Sequence, residues 1–300
     1  LWDLNFLKKK LLLTLLFSFI FGSFCFGFFT GVKQTFPYNW IKDSYLLAHK
    51  ALYVFQDLKA KTTDDEFWEI CTIPEVEALP FDSTIFVGHA YGAPESVEQF
   101  LRSNQARLAR VIFTGDVFGI PSAKKWKDLA NFFQTTTEIH IAPGNHDFQR
   151  SDSRDVFLQS PFGNKSYPYI IPMDHTPIVI ENSTSSNWLV AQSVIDLINL
   201  SDTDLLIARH NVPVKELLAY ANSRAGQSQA LEGFQELKQA ANSDFFVTWV
   251  IGDSGAFEQL PRLACFERDG HRFILNGVGG MLGDSVLVAK GKDLFSFKIN

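Results

Sequence analysis

Cysteine is scarce in this sequence, three residues among 300, and three are too few for a disulfide framework. Cys25 lies in an apolar stretch, which leaves Cys71 and Cys265. Those two admit two readings, a pair formed outside the cytoplasm or two small side chains buried as apolar fillers, and the second is the plainer expectation. Runs of Lys or Arg are also missing from the body of the chain. With a net charge of -6 spread along its length, the protein has no basic footprint for a polyanion. Nucleic acid is therefore not expected as a partner. No internal repeat or low-complexity linker interrupts residues 75–300, which predicts one domain there.

Charge is absent altogether from residues 11–32, a run rich in Leu and Phe. A helix needs ~20 residues to cross the hydrocarbon layer, and this run is long enough to be a transmembrane anchor. A cleaved signal peptide would call for a shorter apolar core and a small-residue cleavage site, and Phe24 before Cys25 suits lipoprotein processing poorly. Lys8, Lys9 and Lys10 precede the run, whereas Lys33 and Lys42 are the nearest positive charges after it. That bias predicts a single-pass protein with a cytoplasmic amino terminus and its body outside the cytoplasm. Beyond the tail and anchor (1–32), residues 33–75 are expected to supply a juxtamembrane amphipathic helix. Ile41, Tyr45, Leu46, Leu52, Tyr53, Phe55 and Leu58 recur near helical spacing among Lys42, Asp43, Lys50 and Asp57. Residues 76–300 remain as the folded domain.

Within that domain short apolar runs at 84–87, 111–114, 139–142, 178–180, 205–208 and 245–251 read as strands. Helical stretches at 95–102, 122–133, 188–200, and 214–221 with 230–240 separate them. Strands alternating with helices imply right-handed crossovers and a mainly parallel sheet, an α/β fold. Toward the end, 262–268 and 271–275 flank Asp269-Gly270 as a hairpin with a two-residue turn, and 285–289 and 294–298 add further strands.

Two of these strands end in polar tips. Arg110-Val111-Ile112-Phe113-Thr114-Gly115 runs into Asp116, and the run ending in Ala142-Pro143-Gly144 runs into Asn145, His146 and Asp147. Each glycine permits a sharp exit from its strand, and ligands of open parallel sheets gather at the carboxyl ends of strands. The ordered pair Gly115-Asp116 and Gly144-Asn145-His146-Asp147 resembles the motifs of the calcineurin-like metallophosphoesterases, over roughly residues 80–280. The resemblance implies a two-sheet metallophosphoesterase-like sandwich with flanking helices, the strand-rich tail contributing the second sheet. It also implies one or two divalent metal ions (Mn, Fe or Zn), which activate water and face the phosphoryl oxygens.

Carried over by resemblance, Asp116 would bridge two metals, Asn145 would bind the second, and His146 would assist the leaving group, with Asp147 holding His146 in orientation. His210, in Leu205-Leu206-Ile207-Ala208-Arg209-His210-Asn211-Val212-Pro213, resembles the family's strand-end His ligand to the second metal. Two motifs depart from the pattern. The usual Asp-x-His of the first is His89-Ala90-Tyr91 after Gly88, and the usual Gly-His-x-His of the last is Gly252-Asp253-Ser254-Gly255. The second-metal set becomes Asp116, Asn145, His210 and Asp253, whose added carboxylate favours a harder ion such as Mn or Fe. For the first metal, Asp116 and the substitute His89 are the ordinary donors. Tyr91 would have to ionise against a reference pKa near ~10, and Gly255 has no side chain. His49, His140, His175 and His271 have no motif around them and are expected to be structural or exposed. Two functions follow: a membrane-anchored phosphoesterase acting on a phosphorylated small molecule or an envelope-linked phosphate ester, or a catalytically degenerate scaffold that keeps the fold without turnover.

Overall fold

The apolar runs become strands buried on both faces, in two sheets. The computed structural model describes residues 69–133, 137–148, 151–184, 189–214, 217, 237, 245–253, 263–279 and 284–299, all within the compact unit Thr62–Asn300. The expected anchor, the amphipathic stretch as far as residue 68, Ser254, Gly255 and most of 214–240 lie outside the described residues. Among the described residues no helix is long and apolar enough to cross a membrane.

Twelve strands are described: β1 (Glu69–Ile70), β2 (Ser83–Val87), β3 (Leu108–Phe113), β4 (Glu138–Ile141), β5 (Tyr169–Ile171), β6 (Ile178–Ile180), β7 (Leu205–Arg209), β8 (Val247–Ile251), β9 (Leu263–Arg268), β10 (His271–Asn276), β11 (Ser285–Lys290) and β12 (Asp293–Lys298). One sheet has the order β12-β11-β2-β3-β4 and the other β1-β9-β10-β8-β7-β6-β5. β2, β3 and β4 run parallel, as do β10, β8, β7 and β6, so the mainly parallel expectation holds at the centre of each sheet.

Side-chain alternation explains the layers. Phe86, Ile112, Leu206, Ala208, Val250 and Ile274 meet between the sheets, while their neighbours Ile85, Val87, Val111 and Phe113 point to the outer face of the first sheet. Ile207, Val247, Trp249 and Phe273 do the same on the second. A strand with apolar residues at both parities is what a sheet covered on both faces requires. The outer face of the first sheet is covered by α1 (Pro94–Asn104) and α2 (Ala123–Phe132). Val97, Phe100 and Leu101 of α1 fall on one stripe, Pro94 opens that helix, and the Ser122 side chain caps α2 by accepting from the Lys125 N–H. Three further helices are α3 (Asn145–Phe148), α4 (Ser151–Leu158) and α5 (Gln192–Leu200).

Two expectations are corrected. The strand-rich tail does not form the second sheet by itself. The β9–β10 hairpin pairs with β8, and the β11–β12 hairpin pairs with β2, one tail element on each sheet. The reason is parity: Val286 and Val288 of β11 reach the outer core and Leu287 and Ala289 the inner one, a pattern that fits beside β2. Cys71 and Cys265 are not separate apolar fillers but a disulfide, although 194 positions separate them. Antiparallel pairing of β1 with β9 sets Ile70 opposite Phe266, so the next residue along meets Cys265 at a Cα–Cα distance of 5.0 Å.

Candidate metal centre

The carboxyl ends of β2, β3, β4, β7 and β8 converge, and glycines let them do so. A Cβ on Gly252 would lie 1.7 Å from the Thr114 carbonyl oxygen, and one on Gly88 would lie 2.6 Å from the Gly252 Cα. No other residue fits where these backbones meet. After β3, Gly115 (φ 92°) and Asp116 (φ 56°) are both left-handed, which swings the Asp116 carboxylate back over the strand ends. For a residue with a Cβ that conformation is strained and held by its surroundings.

The holding group is Asp147. Its Oδ2 accepts from the N–H of Asp116 at 2.7 Å and of Gly144 at 3.1 Å, and its Oδ1 from the N–H of Val117 at 3.2 Å. Burial and the nearby Asp116 charge raise the Asp147 pKa to about 7, against the N–H donors of Gly144 and Val117. The expected contact of Asp147 with His146 is thus replaced. A side chain that starts inside α3 and turns back under β3 meets backbone donors first. His146 is oriented instead by Gly119, whose carbonyl lies 3.0 Å from Nδ1, while the His146 backbone N–H donates to Asp116 Oδ1 at 3.0 Å.

Two other imidazoles face the Asp116 carboxylate. His210 Nδ1 lies 3.0 Å from the Thr114 carbonyl, and a carbonyl only accepts, so the proton sits on Nδ1. Its Nε2 then faces Asn145 Oδ1 at 3.1 Å, Asp116 Oδ1 at 3.6 Å and Asp253 Oδ1 at 3.8 Å. His89, itself left-handed at φ 54°, places Nδ1 3.2 Å from the Val278 carbonyl and Nε2 3.9 Å from Asp116 Oδ2. Each oxygen of Asp116 therefore has one histidine nitrogen opposite it. Burial lowers the His89 pKa to about 4, so this ring is neutral. At His210 burial also acts downward, but the Asp116 and Asp253 carboxylates and the Thr114 carbonyl outweigh it and the pKa rises. Asp253 is raised, chiefly by burial.

The spacing around His210 Nε2 suits a divalent ion at the second position, whereas the Asp116 and Asp253 carboxylates stand too far apart to share it without drawing together. Neighbouring donors around an ion with ~2.0–2.1 Å bonds stand ~3–4 Å apart, and the 3.1, 3.6 and 3.8 Å separations from His210 Nε2 fall in that range. A proton on Nε2, which the raised pKa favours, would satisfy these oxygens, and a divalent cation among them would take its place. Among the described residues the one trio of His, Cys, Asp or Glu with all donor atoms within 4.8 Å of one another is Cys71, Cys265 and Glu267, whose sulfurs are spent on the disulfide. The Asp116, His210 and Asp253 set is looser, and the Asn145 amide oxygen is its closest member. The first position is poorer, with His89 and Asp116 Oδ2 as its donors. Beside it stands Tyr91, in the single turn Ala90–Gly92, its ring centroid 4.2 Å from that of His89 and 4.7 Å from that of His146.

All seven residues expected at the site, His89, Asp116, Asn145, His146, Asp147, His210 and Asp253, thus stand at one end of the two sheets. Sequence reading passed over the Arg209–Glu181 pair, fully buried at 3.0 Å behind His210, with Glu181 also accepting the Ala191 N–H at 2.9 Å. Its signal was an arginine inside an apolar strand. The carbonyls of Thr114, Gly119 and Val278 have no sequence signal. His271 is buried and accepts the Trp249 indole N–H at 3.1 Å, His140 contacts the Tyr169 hydroxyl at 3.3 Å, and His175 is exposed. These are the structural or exposed positions expected of them; His49 lies outside the described residues.

No family model and no curated protein matches the sequence. Among solved structures, phosphopantetheinyl hydrolase from Mycobacterium tuberculosis aligns over 68% of this chain and 91% of its own, at 11% identity and a TM-score of 0.45. A conserved protein from Streptococcus pneumoniae described as a predicted phosphoesterase aligns over 71% of this chain and 86% of its own, at 11% identity and a TM-score of 0.30. Likenesses this loose assign no function, and the chemistry of the chain rests on the residues above.

Proposed function

We propose that this chain is a membrane-anchored, metal-dependent phosphoesterase that hydrolyses a phosphate monoester or diester. One observation carries the reading: the Asp116 carboxylate lies between His210 Nε2 (3.6 Å) and His89 Nε2 (3.9 Å), and both rings have their other nitrogen fixed on a backbone carbonyl. Imidazoles held in this way present a lone pair, which is how protein ligands to metals are prepared. Asp116, Asn145, His210 and Asp253 would hold one ion, with Mn or Fe suiting the oxygen-rich set better than Zn, and His89 with Asp116 would hold a second. When bound, such ions supply hydroxide at neutral pH and positive charge toward the phosphoryl oxygens.

The chain's own residues divide the remaining tasks. The Gly119 carbonyl accepts from His146 Nδ1, which leaves Nε2 to face the leaving oxygen, and Nε2 would give a proton there only after the ring has taken one up as imidazolium. His146, Asn145 and Tyr91 are half-buried while Asp116, Asp147, His89 and His210 are buried, which puts the open side of the site where the ester would enter. The substrate would be a phosphorylated small molecule or an envelope-linked phosphate ester. An apolar run at 11–32 supports the anchor, and a disulfide, which persists in oxidising compartments, supports a domain outside the cytoplasm.

A second reading draws on the tilted ring contacts of His89, Tyr91 and His146 beside the first position, which has few donors. It is a scaffold that binds metal or ligand without turnover. Metal analysis of the full chain in detergent, followed by bis-p-nitrophenyl and p-nitrophenyl phosphate with and without chelator, separates the two. Hydrolysis lost on chelation and restored by Mn is expected; bound metal with no turnover on either ester would favour the scaffold. His89→Ala should lower metal stoichiometry and turnover together if two ions work, and neither if one does.

A further inference from the structure

We infer that an apolar slot between α1 and α2 takes the alkyl chain of an amphiphilic phosphate ester. The inference rests on the phosphoesterase reading for the phosphate end and on the slot itself for the chain. The slot has a volume of about 670 Å³, the size of a small-molecule pocket. Val97 and Leu101 of α1 form one wall, Leu129 and Phe132 of α2 the other, and Phe113 and Val117 lie at its base. Charges at the rim are satisfied within each helix, Arg102 by Glu98 at 2.7 Å on α1 and Lys124 by Asp128 at 2.6 Å on α2. Among the described residues no ion pair crosses the slot, so its walls offer a guest apolar surface.

The topology gives the slot a direction. Each helix leaves the carboxyl end of a strand, β2 for α1 and β3 for α2, and returns to the amino end of the next parallel strand. Their first turns therefore stand beside the candidate metal centre and their last turns at the far end of the sheet. At the near end the lining includes Ala90 and Val117, the chain neighbours of His89 and Asp116. At the far end Arg102 lies over the Phe132 ring at 4.5 Å and the Gln105 amide donates to the Phe132 carbonyl at 3.5 Å, contacts that tie α1 to α2 and close the slot. Helices of 11 and 10 residues make it ~15 Å long. An apolar slot that starts beside a phosphate-handling site and ends blind suits an unbranched chain whose polar head stays at the site. The anchor proposed above would hold the domain at a lipid surface, where esters of that kind reside.

Titration calorimetry of ethyl, butyl, hexyl, octyl and decyl phosphate into the full chain in lipid nanodiscs, with empty nanodiscs subtracted, reads the chain without turnover. Affinity should rise about threefold to fourfold per methylene as each leaves water, and level off once the chain fills the slot. Leu129, on a wall and partly exposed, is the place to block it. Leu129→Trp should flatten the series while ethyl phosphate binds as in the parent, and the milder Leu129→Gln should lower the slope. A series that is flat in the parent, or equally steep in both variants, overturns the inference. The n-alcohols of the same lengths keep the two readings apart. A slope that Leu129→Trp removes, with no affinity added by the phosphate group, would uphold the slot and sink the phosphoesterase reading. A dimer trapped by cross-linking in the parent and lost in Leu129→Trp would make the slot a contact between copies and overturn the inference as well.

Discussion

His271 is a buried histidine away from the candidate site, and its burial gives the protein an acid sensitivity that can be measured one residue at a time. Its Nδ1 accepts the Trp249 N–H at 3.1 Å, and burial lowers its pKa from 6.5 to about 4. A folded pKa below the unfolded one means the unfolded chain takes up the proton first. Stability is complete above pH 6.5 and is lost as pH falls toward 4, by up to ~3 kcal/mol for such a shift. His271→Asn keeps an acceptor for Trp249 and removes the titration, so urea midpoints at pH 7 and pH 4.5 should differ less in this variant than in the parent. Equal differences would show that the His271 pKa is not lowered in the folded protein. At this scale the sequence was most legible where polar side chains gather at strand ends, since Asp116, Asn145, His210 and Asp253 are recognisable by type and order and the structure brings them together. It was least legible where a side chain meets backbone. Asp147 stands beside His146 in the sequence, yet its three partners are N–H groups of Asp116, Val117 and Gly144, and no residue pattern encodes those.

Elements reach the site only because two strand ends share the space of one side chain. A Cβ at Gly252 would press within 1.7 Å of the Thr114 carbonyl, the same carbonyl that fixes the His210 tautomer. Gly252→Ala should therefore cost ~1–3 kcal/mol of stability, as overpacking does, and should also weaken metal binding through His210. Thermal unfolding with and without Mn reads both effects. A variant that loses stability yet keeps the same Mn-dependent gain would show that Thr114 can move without disturbing the ring. β1 and β5, two and three residues long, were passed over, whereas ten of the twelve described strands were legible as apolar runs, several of them ending at Gly, Pro or Asp. Their sheet membership was not, since β9–β10 and β11–β12 are both hairpins of alternating residues. What assigns them to different sheets is which neighbour their inward residues fit, a tertiary matter.

The whole molecule combines an apolar run at 11–32, where Cys25 lies, with a domain closed by Cys71–Cys265. A disulfide that joins residues 194 positions apart restricts the unfolded chain and stabilises by ~2–4 kcal/mol. If the domain lies outside the cytoplasm, acid-quenched cells alkylated without reductant should label Cys25 alone, and Cys71→Ser should lower the thermal midpoint by several degrees. Ready labelling of Cys71 and Cys265 would place the domain in a reducing compartment. Sequence distance hid this bond, because only the pairing of β1 with β9 brings the two cysteines together. The central claim concerns the carboxylate between two histidines, and Asp116→Asn tests it most directly: asparagine tolerates the left-handed backbone at φ 56° and removes the charge alone. Metal content of the purified full chain, measured by mass spectrometry for parent and variant, should show at least one divalent ion per chain falling to near zero, with chelator-sensitive ester hydrolysis lost in parallel. Equal metal content in the two proteins, or a parent that binds no divalent ion, would contradict the account.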